Sequence, residues 1–450
     1  MKLTFYGGAK SVTGANYLLE SSDAKTKILI DCGLTQGSHF AELQNFNPFL
    51  YNPQEINALL VTHSHIDHIG RIPKLYRDGF SGKIYSTPAT KDFAELMFLD
   101  SEHILSEEAK KNNKEPLYTV EDIYELMKLW EGVDYHKKFK INDFEIEFFD
   151  AGHILGSAII VIKAEGKTIV FSGDLGNYPA PIIKETEKIE YADYLIIESA
   201  YGDRIHENVL KQKEELEDVI EDAVLNQGTL LIPAFALERT QQLLYHLNDL
   251  IEKGKVPKIP VFIDSPLAIK LTSVYSKYRK YFNQEVRGKI SSGDNILEFP
   301  GLKVALTREE SRAIDEVPPP KIIIAGSGMM HGGRILRHAK FYLSDPKSTI
   351  LFVGFQAEGS LGRELLEGKK QVKIYEEEVE VKCKIVQIES FSAHADQLKI
   401  LNWILPMRLS LKKIFIVQGE EQSANVLASK IRDKMAIDAV IPGIGDSFVL

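Results

Sequence analysis

Three stretches of the chain share one pattern, in which an apolar run ends and a metal-binding side chain follows within a few residues. NALLVTHSHIDHIG puts His63, His65, Asp67 and His68 just after such a run. FFDAGHILG puts His153 between Gly152 and Gly156, and TIVFSGDLG puts Asp174 between Gly173 and Gly176. Apolar, β-branched runs of this length read as strands, and a ligand just past the end of one sits on a loop there. Three of the chain's 12 histidines fall within six positions, which scatter does not explain. Neutral imidazole is the commonest metal ligand, and imidazoles joined by carboxylates suit zinc. Alternation sends His63 and His65 to one side, while Asp67 and His68 curl toward a second position. An aspartate such as Asp174 can bridge two ions, and two metals about 3.5–4 Å apart can clamp the attacking and leaving oxygens of a displacement. Asp31, which ends TKILID, is expected to fix the tautomer of one histidine. The three stretches together read as a metal hydrolase.

At 450 residues the chain is long enough for two or three cores. No apolar run is long enough to span a bilayer, and MKLTFYGG lacks the charged-then-apolar order of a secretory leader. A cytoplasmic protein without membrane contact is therefore expected. Cys32 and Cys383 give no disulfide framework, as suits a reducing compartment. A formal net charge of -10 argues against a surface that binds polyanions everywhere, while leaving room for a local basic cleft. The first part of the chain is β-rich, with helical spacing over 91–131 and again over 206–227. Strands and helices alternate from about 229 to 380, where KIIIAGSG and STILFVGF are bounded by glycine as buried parallel strands are. The β-rich style returns in KCKIVQIESF and KKIFIVQG. This order predicts an α/β block, 206–380, inserted into an outer unit made of 1–205 and 381–450.

The order Asp31, His63-x-His65-x-Asp67-His68, His153, Asp174 resembles the metallo-β-lactamase superfamily. The segments ESAYG, PAFALERTQ, DSPLA, GSGMMHGGR, VGFQAEGSLGR and FSAHAD carry the resemblance nearly end to end, to the nucleic-acid-cleaving β-CASP group. Within that group it is similar to the ribonucleases: bacterial RNA-degradation enzymes and the nuclease subunit of the eukaryotic mRNA 3′-end cleavage factor. The fold this implies is α/β: an αββα metallo-β-lactamase sandwich with an inserted α/β β-CASP domain. The resemblance further implies two zinc ions, one held by His63, His65 and His153, the other by Asp67 and His68, with Asp174 bridging. Glu198 and His394 match two further motifs of the group. Cleaving a phosphodiester expels an alkoxide that needs a proton, and His394 beside a carboxylate can supply one, so Asp67, Glu198 and His394 are the expected catalytic residues. GSGMMHGGR resembles the family's phosphate-contacting turn. Ser327 and Gly328, with Arg239, Arg334 and Arg363, are therefore expected phosphate contacts, while His331 and His338 read as non-ligands. The expected substrate is single-stranded RNA in a cleft between the two domains, cut internally, with 5′-to-3′ trimming as a further mode. A homodimer is compatible with all of this.

One position departs from the pattern. RNA-cleaving members carry a histidine in a strand-end VHG that completes the second zinc's shell, and here the segment is KKIFIVQGEEQ, with Gln418 in that place. A neutral amide oxygen is a poor zinc ligand, so the second ion is expected to be weakly held, absent, or exchanged for a harder ion such as manganese. The competing class is a weakened or inactive RNA-processing subunit that binds RNA as a scaffold. Relatives of that kind usually lose several ligands rather than one. A small-molecule hydrolase would have no need of the 206–380 insertion.

Overall fold

The computed structural model describes residues 1–36, 43–111, 113, 115–206, 211–354, 356 and 359–450. The expected helix over 206–227 and the VGFQAEGSLGR segment therefore lie partly outside the described residues; the described helix in the first of these is Gln212–Leu225. The chain divides into two units, one of residues 1–180, 184–205 and 394–450, the other of 181–183 and 206–393.

The first unit holds two seven-stranded sheets. One runs, in spatial order, Ser447–Val449, Lys2–Gly7, Asn16–Glu20, Lys27–Ile30, Ala58–Leu60, Lys83–Ser86 and Trp130–Gly132. The other runs Ala439–Val440, Lys413–Val417, Tyr194–Glu198, Lys167–Phe171, Ala158–Ala164, Phe144–Asp150 and Phe139–Ile141. Strand alternation sorts side chains between layers. Phe415 and Val417 join Leu3, Phe5, Ile146 and Phe148 in the core between the sheets. Ile414 and Ile416 face the other way, into a core with Ile400, Ile404, Leu427 and Ile431 from the helices Gln397–Ile404 and Glu421–Met435. A matching outer layer packs Ile72, Leu75, Phe98 and Ile123 from three helices against Leu29 and Leu59 of the first sheet. The result is the αββα order. Local turn chemistry agrees with it: Glu165-Gly166, both with positive φ, closes the two-residue hairpin that pairs Ala164 with Lys167.

Parallel pairing decides where the loops meet. Lys27–Ile30, Ala58–Leu60 and Lys83–Ser86 are parallel neighbours, as are Lys167–Phe171, Tyr194–Glu198 and Lys413–Val417. Their C-terminal ends lie at one edge of each sheet, so the residues just beyond them are brought together, as in other parallel sheets.

The second unit is built on a six-stranded, all-parallel sheet in the order Leu302–Val304, Val261–Asp264, Lys321–Ala325, Thr229–Pro233, Thr349–Phe352, Lys384–Gln387. Its last strand lies within KCKIVQ, which the sequence pattern assigns to the outer unit. Ile385 pairs with Ile350 here, so the inserted unit continues past 380, to residue 393. Among the described residues, no helix is long and apolar enough to cross a membrane.

Candidate metal centre and active site

The site is assembled from the C-terminal ends of strands in both sheets of the first unit. His63 Nε2 lies 3.1 Å from His65 Nδ1, and His153 Nε2 lies 3.2 Å from the same atom. Oδ2 of Asp174 is 3.3 Å from His63 Nε2 and 3.5 Å from His153 Nε2. One ligand atom from each of these four residues falls within 4.8 Å of all the others. Burial, reinforced by the neighbouring imidazoles, holds the pKa of His63 below the ordinary range and those of His65 and His153 well below it. Neutral rings with lone pairs converging on a carboxylate are the donor set that zinc takes, so these residues fit one such ion. Asp174 is ionised: burial opposes its charge, but His68, His63 and His394 outweigh it and hold its pKa well below the usual range.

The second group of expected ligands is arranged differently. Asp31, buried, receives the Thr62 N–H at 2.8 Å, the Thr62 hydroxyl at 2.7 Å and His68 Nδ1 at 2.8 Å. The loop that carries Asp31 packs backbone to backbone on the turn that carries His68, with Cys32 N donating to His68 O at 2.8 Å. Gly33 is required there, since a Cβ would stand 1.6 Å from Asp67 O. His68 Nε2 is 3.4 Å from Asp174 Oδ1 and 3.9 Å from Asp67 Oδ2. Gln418 Nε2 sits 2.7 Å from His68 Nε2 and 2.9 Å from Asp174 Oδ1. Burial disfavours a second proton on His68, while Asp174 and Asp31 favour it and raise its pKa. The 2.7 Å contact decides for the neutral ring, because an amide NH₂ facing Asp174 has only hydrogens to offer His68. Burial raises the pKa of Asp67, with nearby Asp174 adding to it and His68 opposing.

Glu198 ends its strand fully buried, with Oε1 2.5 Å from Leu175 N and Oε2 3.1 Å from His394 Nδ1. Burial works against a charge on His394, but Glu198 and then Asp174 overcome it, and its pKa is raised to about 9. Burial likewise raises the pKa of Glu198, partly offset by His394. His394 and Glu198 thus form a hydrogen-bonded pair that touches the cradle through Asp174, 3.9 Å from His394 Nδ1.

The expected phosphate contacts all belong to the second unit, and the four side chains among them each bond a protein group. Arg334 bonds Asp264 Oδ1 at 2.6 Å, Ala305 O at 2.9 Å and Leu306 O at 2.8 Å, so its fork is closed on protein acceptors. Ser327 N donates to Gly332 O at 3.1 Å and its hydroxyl lies 3.2 Å from the same oxygen, closing the glycine-rich turn on itself. Neither arrangement presents the donor to a phosphate. In the same turn Gly328 O accepts from Gln356 Nε2 at 3.0 Å. Arg239 is buried, with its guanidinium on Gln242 and 5.7 Å from the Phe391 ring centroid. Arg363 is half-exposed and paired to Glu367 at 2.7 Å. His338 Nε2 is 2.7 Å from Asp264 Oδ2 and His331 is exposed, away from any group of converging ligands among the described residues.

Sequence reasoning missed two residues. Thr62 links Asp31 to the ligand loop, and a Thr before His-x-His carried no distinguishing signal. The Tyr17 hydroxyl is buried without a hydrogen-bond partner among the described residues; burial, then the charges of Asp31 and Asp174, raise its pKa well above the ordinary value. A single tyrosine in an apolar strand gives no warning of such a position.

An αββα sandwich with a histidine–carboxylate cradle at its strand ends, fit to bind a metal, defines a hydrolase of the metallo-β-lactamase type. The Beta-Casp domain family matches residues 240–365, the Zn-dependent metallo-hydrolase RNA specificity domain matches 378–442, and the anti-Pycsar protein Apyc1 family matches 1–201. Ribonuclease TTHA0252 of Thermus thermophilus is 36% identical, covering 94% of each chain. An RNase J-like protein of Methanocaldococcus jannaschii is 31% identical over 98% of this chain and 97% of its own. Transcription termination factor FttA of Methanosarcina mazei is 31% identical over 97% of this chain and 70% of its own. A crystal structure of a protein of unknown function from Enterococcus faecalis V583 shares the fold, with a TM-score of 0.58 at 13% identity, covering 100% of this chain and 99% of that one. The chain belongs to the β-CASP family of metallo-β-lactamase-fold ribonucleases.

Proposed function

We propose that this protein is a zinc-dependent ribonuclease that hydrolyses phosphodiester bonds of single-stranded RNA, cutting internally and trimming in the 5′-to-3′ direction. The observation that carries the reading is the cradle of His63, His65, His153 and Asp174, with ligand atoms all within 4.8 Å of one another. Zinc bound among them would supply Lewis-acid charge to a phosphoryl oxygen and bring the pKa of a water toward neutrality. The chain's own groups supply the rest. Asp67, its carboxylate only part-buried and 3.9 Å from His68, is suited to orient an attacking water and take its proton. His394 carries a proton on a ring oriented by Glu198 and is suited to deliver it to the leaving oxygen, a step worth about 10²–10⁴-fold in rate. Gln418 favours the second reading, a nuclease of weakened turnover that serves as an RNA-binding scaffold.

The test is cleavage of a 5′-labelled single-stranded RNA by zinc-loaded protein, beside the Asp67→Ala variant. Cleavage that disappears in the variant supports the nuclease, and the product ladder separates internal cuts from end trimming. No cleavage by the loaded wild-type protein would leave the scaffold reading.

A further inference from the structure

We propose that this chain holds one metal ion, in the cradle of His63, His65, His153 and Asp174, and that the Gln418 side-chain amide stands where a second cation would be. The inference rests on the metal-centre reading above and sharpens it, because the donors for the two positions differ in what they can offer.

A second ion would need inward-facing lone pairs on Asp67, His68, Asp174 and the residue at 418. Asp31 takes the Nδ1 hydrogen of His68 at 2.8 Å, which leaves the lone pair on Nε2. That lone pair meets Gln418 Nε2 at 2.7 Å. The inner oxygen of Asp174, Oδ1, meets the same nitrogen at 2.9 Å. An amide NH₂ has two hydrogens, and here there are two acceptors for them. The opposite orientation would set the amide oxygen against a carboxylate oxygen and an imidazole lone pair, so the partners determine which end points inward. Both lone pairs that a second cation would use are thus already hydrogen-bonded to one group.

Gln418 is not free to withdraw. Its N–H donates to Gly8 O at 2.7 Å, its carbonyl accepts from Ser199 N at 3.3 Å, and it is 3% exposed. It follows directly on Val417, which is paired with Glu198 in the sheet. If the amide did turn, it would leave two buried hydrogens without acceptors and bring only a neutral oxygen to the metal. The geometry of the other ligands agrees. Among the described residues, the groups of three or more ligand atoms in mutual reach are the four-residue cradle and Asp174 with Glu198 and His394; none joins Asp67 to His68. Gln418 is therefore a positioning residue. Its partly positive NH₂ holds Asp174 Oδ1 and leaves Oδ2, 3.3 Å from His63 Nε2, turned to the cradle.

The test counts metal. Apo-protein is loaded with excess zinc, desalted and assayed by elemental mass spectrometry, as wild type and as Gln418→His, a residue that tolerates the left-handed φ of 49° at this position. One zinc per wild-type chain and two per Gln418→His chain is the expected result. Two tightly held zinc ions in wild type would overturn the inference while leaving the nuclease reading intact. No zinc in either would overturn both. Should Gln418→His fail to fold, ¹⁵N spectra of wild-type histidines decide the matter. On zinc loading, His63, His65 and His153 are expected to shift and His68 Nε2 to keep its hydrogen-bonded position; a metal-type shift at His68 refutes the proposal.

Discussion

Asp31 offers the sharpest test of how the site is held, because it touches no proposed reacting group and acts only through its neighbours. It is 1% exposed, takes three hydrogen bonds, and has a left-handed φ of 56°. In Asp31→Ala the Thr62 N–H and O–H both lose their buried acceptor, while His68 Nδ1–H keeps only the Thr62 hydroxyl oxygen, 3.3 Å away. Stranding each donor costs about 1–3 kcal/mol, and alanine in a left-handed conformation adds about 1 kcal/mol. The expected loss is therefore about 5 kcal/mol. Asp31→Asn keeps the shape, tolerates the backbone and still accepts from Thr62 N, yet it opposes an amide N–H to His68 Nδ1–H. That conflict drives the His68 hydrogen to Nε2, against the Gln418 amide, and the expected loss is about half that of alanine. Both are read from urea unfolding of metal-free protein, so that lost metal affinity does not enter, with ¹⁵N spectra reporting the His68 tautomer. An Asp31→Ala variant within about 1 kcal/mol of wild type would refute the claim that this carboxylate organises the ligand loop.

Two further outcomes can be checked in the second unit. His246 is buried, and burial, then the charge of Lys213, lowers its pKa to about 4. The unfolded chain binds this proton below about pH 6.5 and the folded chain only below about 4, so the contribution of His246 to stability is full above 6.5 and falls by about 3 kcal/mol on acidification to 4. His246→Leu should make the urea-measured loss across that window shallower, with the share of the buried histidines His63, His65 and His153 remaining, whereas Asp249, lowered to about 2, contributes a loss only below about pH 3.9. An unchanged slope in His246→Leu would reject the assignment. Arg334→Lys replaces the two guanidinium nitrogens that span Asp264, Ala305 and Leu306 by a single one and is expected to lose about 1–3 kcal/mol of stability, with the salt dependence of RNA binding unchanged. A salt slope reduced by about one with stability intact would instead restore the phosphate contact expected from the motif.

The cradle was legible because its chemistry is written locally. His63, His65, His153 and Asp174 each follow an apolar run; the first of those runs lies in one sheet, and the other two flank Ala158–Ala164 in the second, each antiparallel to it, so that they point the same way. The fold class followed from the same runs and from the resemblance carried by the motifs. The boundary at 380 failed because KCKIVQ has the alternation of any strand; that Ile385 pairs with Ile350 rather than within the outer unit is a property of the partner, which one strand's composition does not encode. The protein partners of Arg334 and Ser327 were not legible for a related reason. A guanidinium and a glycine-rich turn look the same in sequence whether they face a phosphate or close on Asp264 and Gly332.

Gln418 is the instructive case, since the departure was visible in sequence and its meaning was not. Read alone, glutamine for histidine is the loss of a ligand and leaves a range from a weak second ion to none. Narrowing that range takes a chain of three contacts: Asp31 fixes the hydrogen on His68 Nδ1, the bare Nε2 then needs a donor, and the amide that supplies it reaches Asp174 with its other hydrogen. Asp31 lies 37 positions before His68 and Gln418 350 after it, so no local window of sequence contains the relation. The substitution is conservative in that sense: a residue that brings its own positive dipole satisfies the acceptors a cation would have satisfied, and Asp174 stays ionised and oriented toward the histidines.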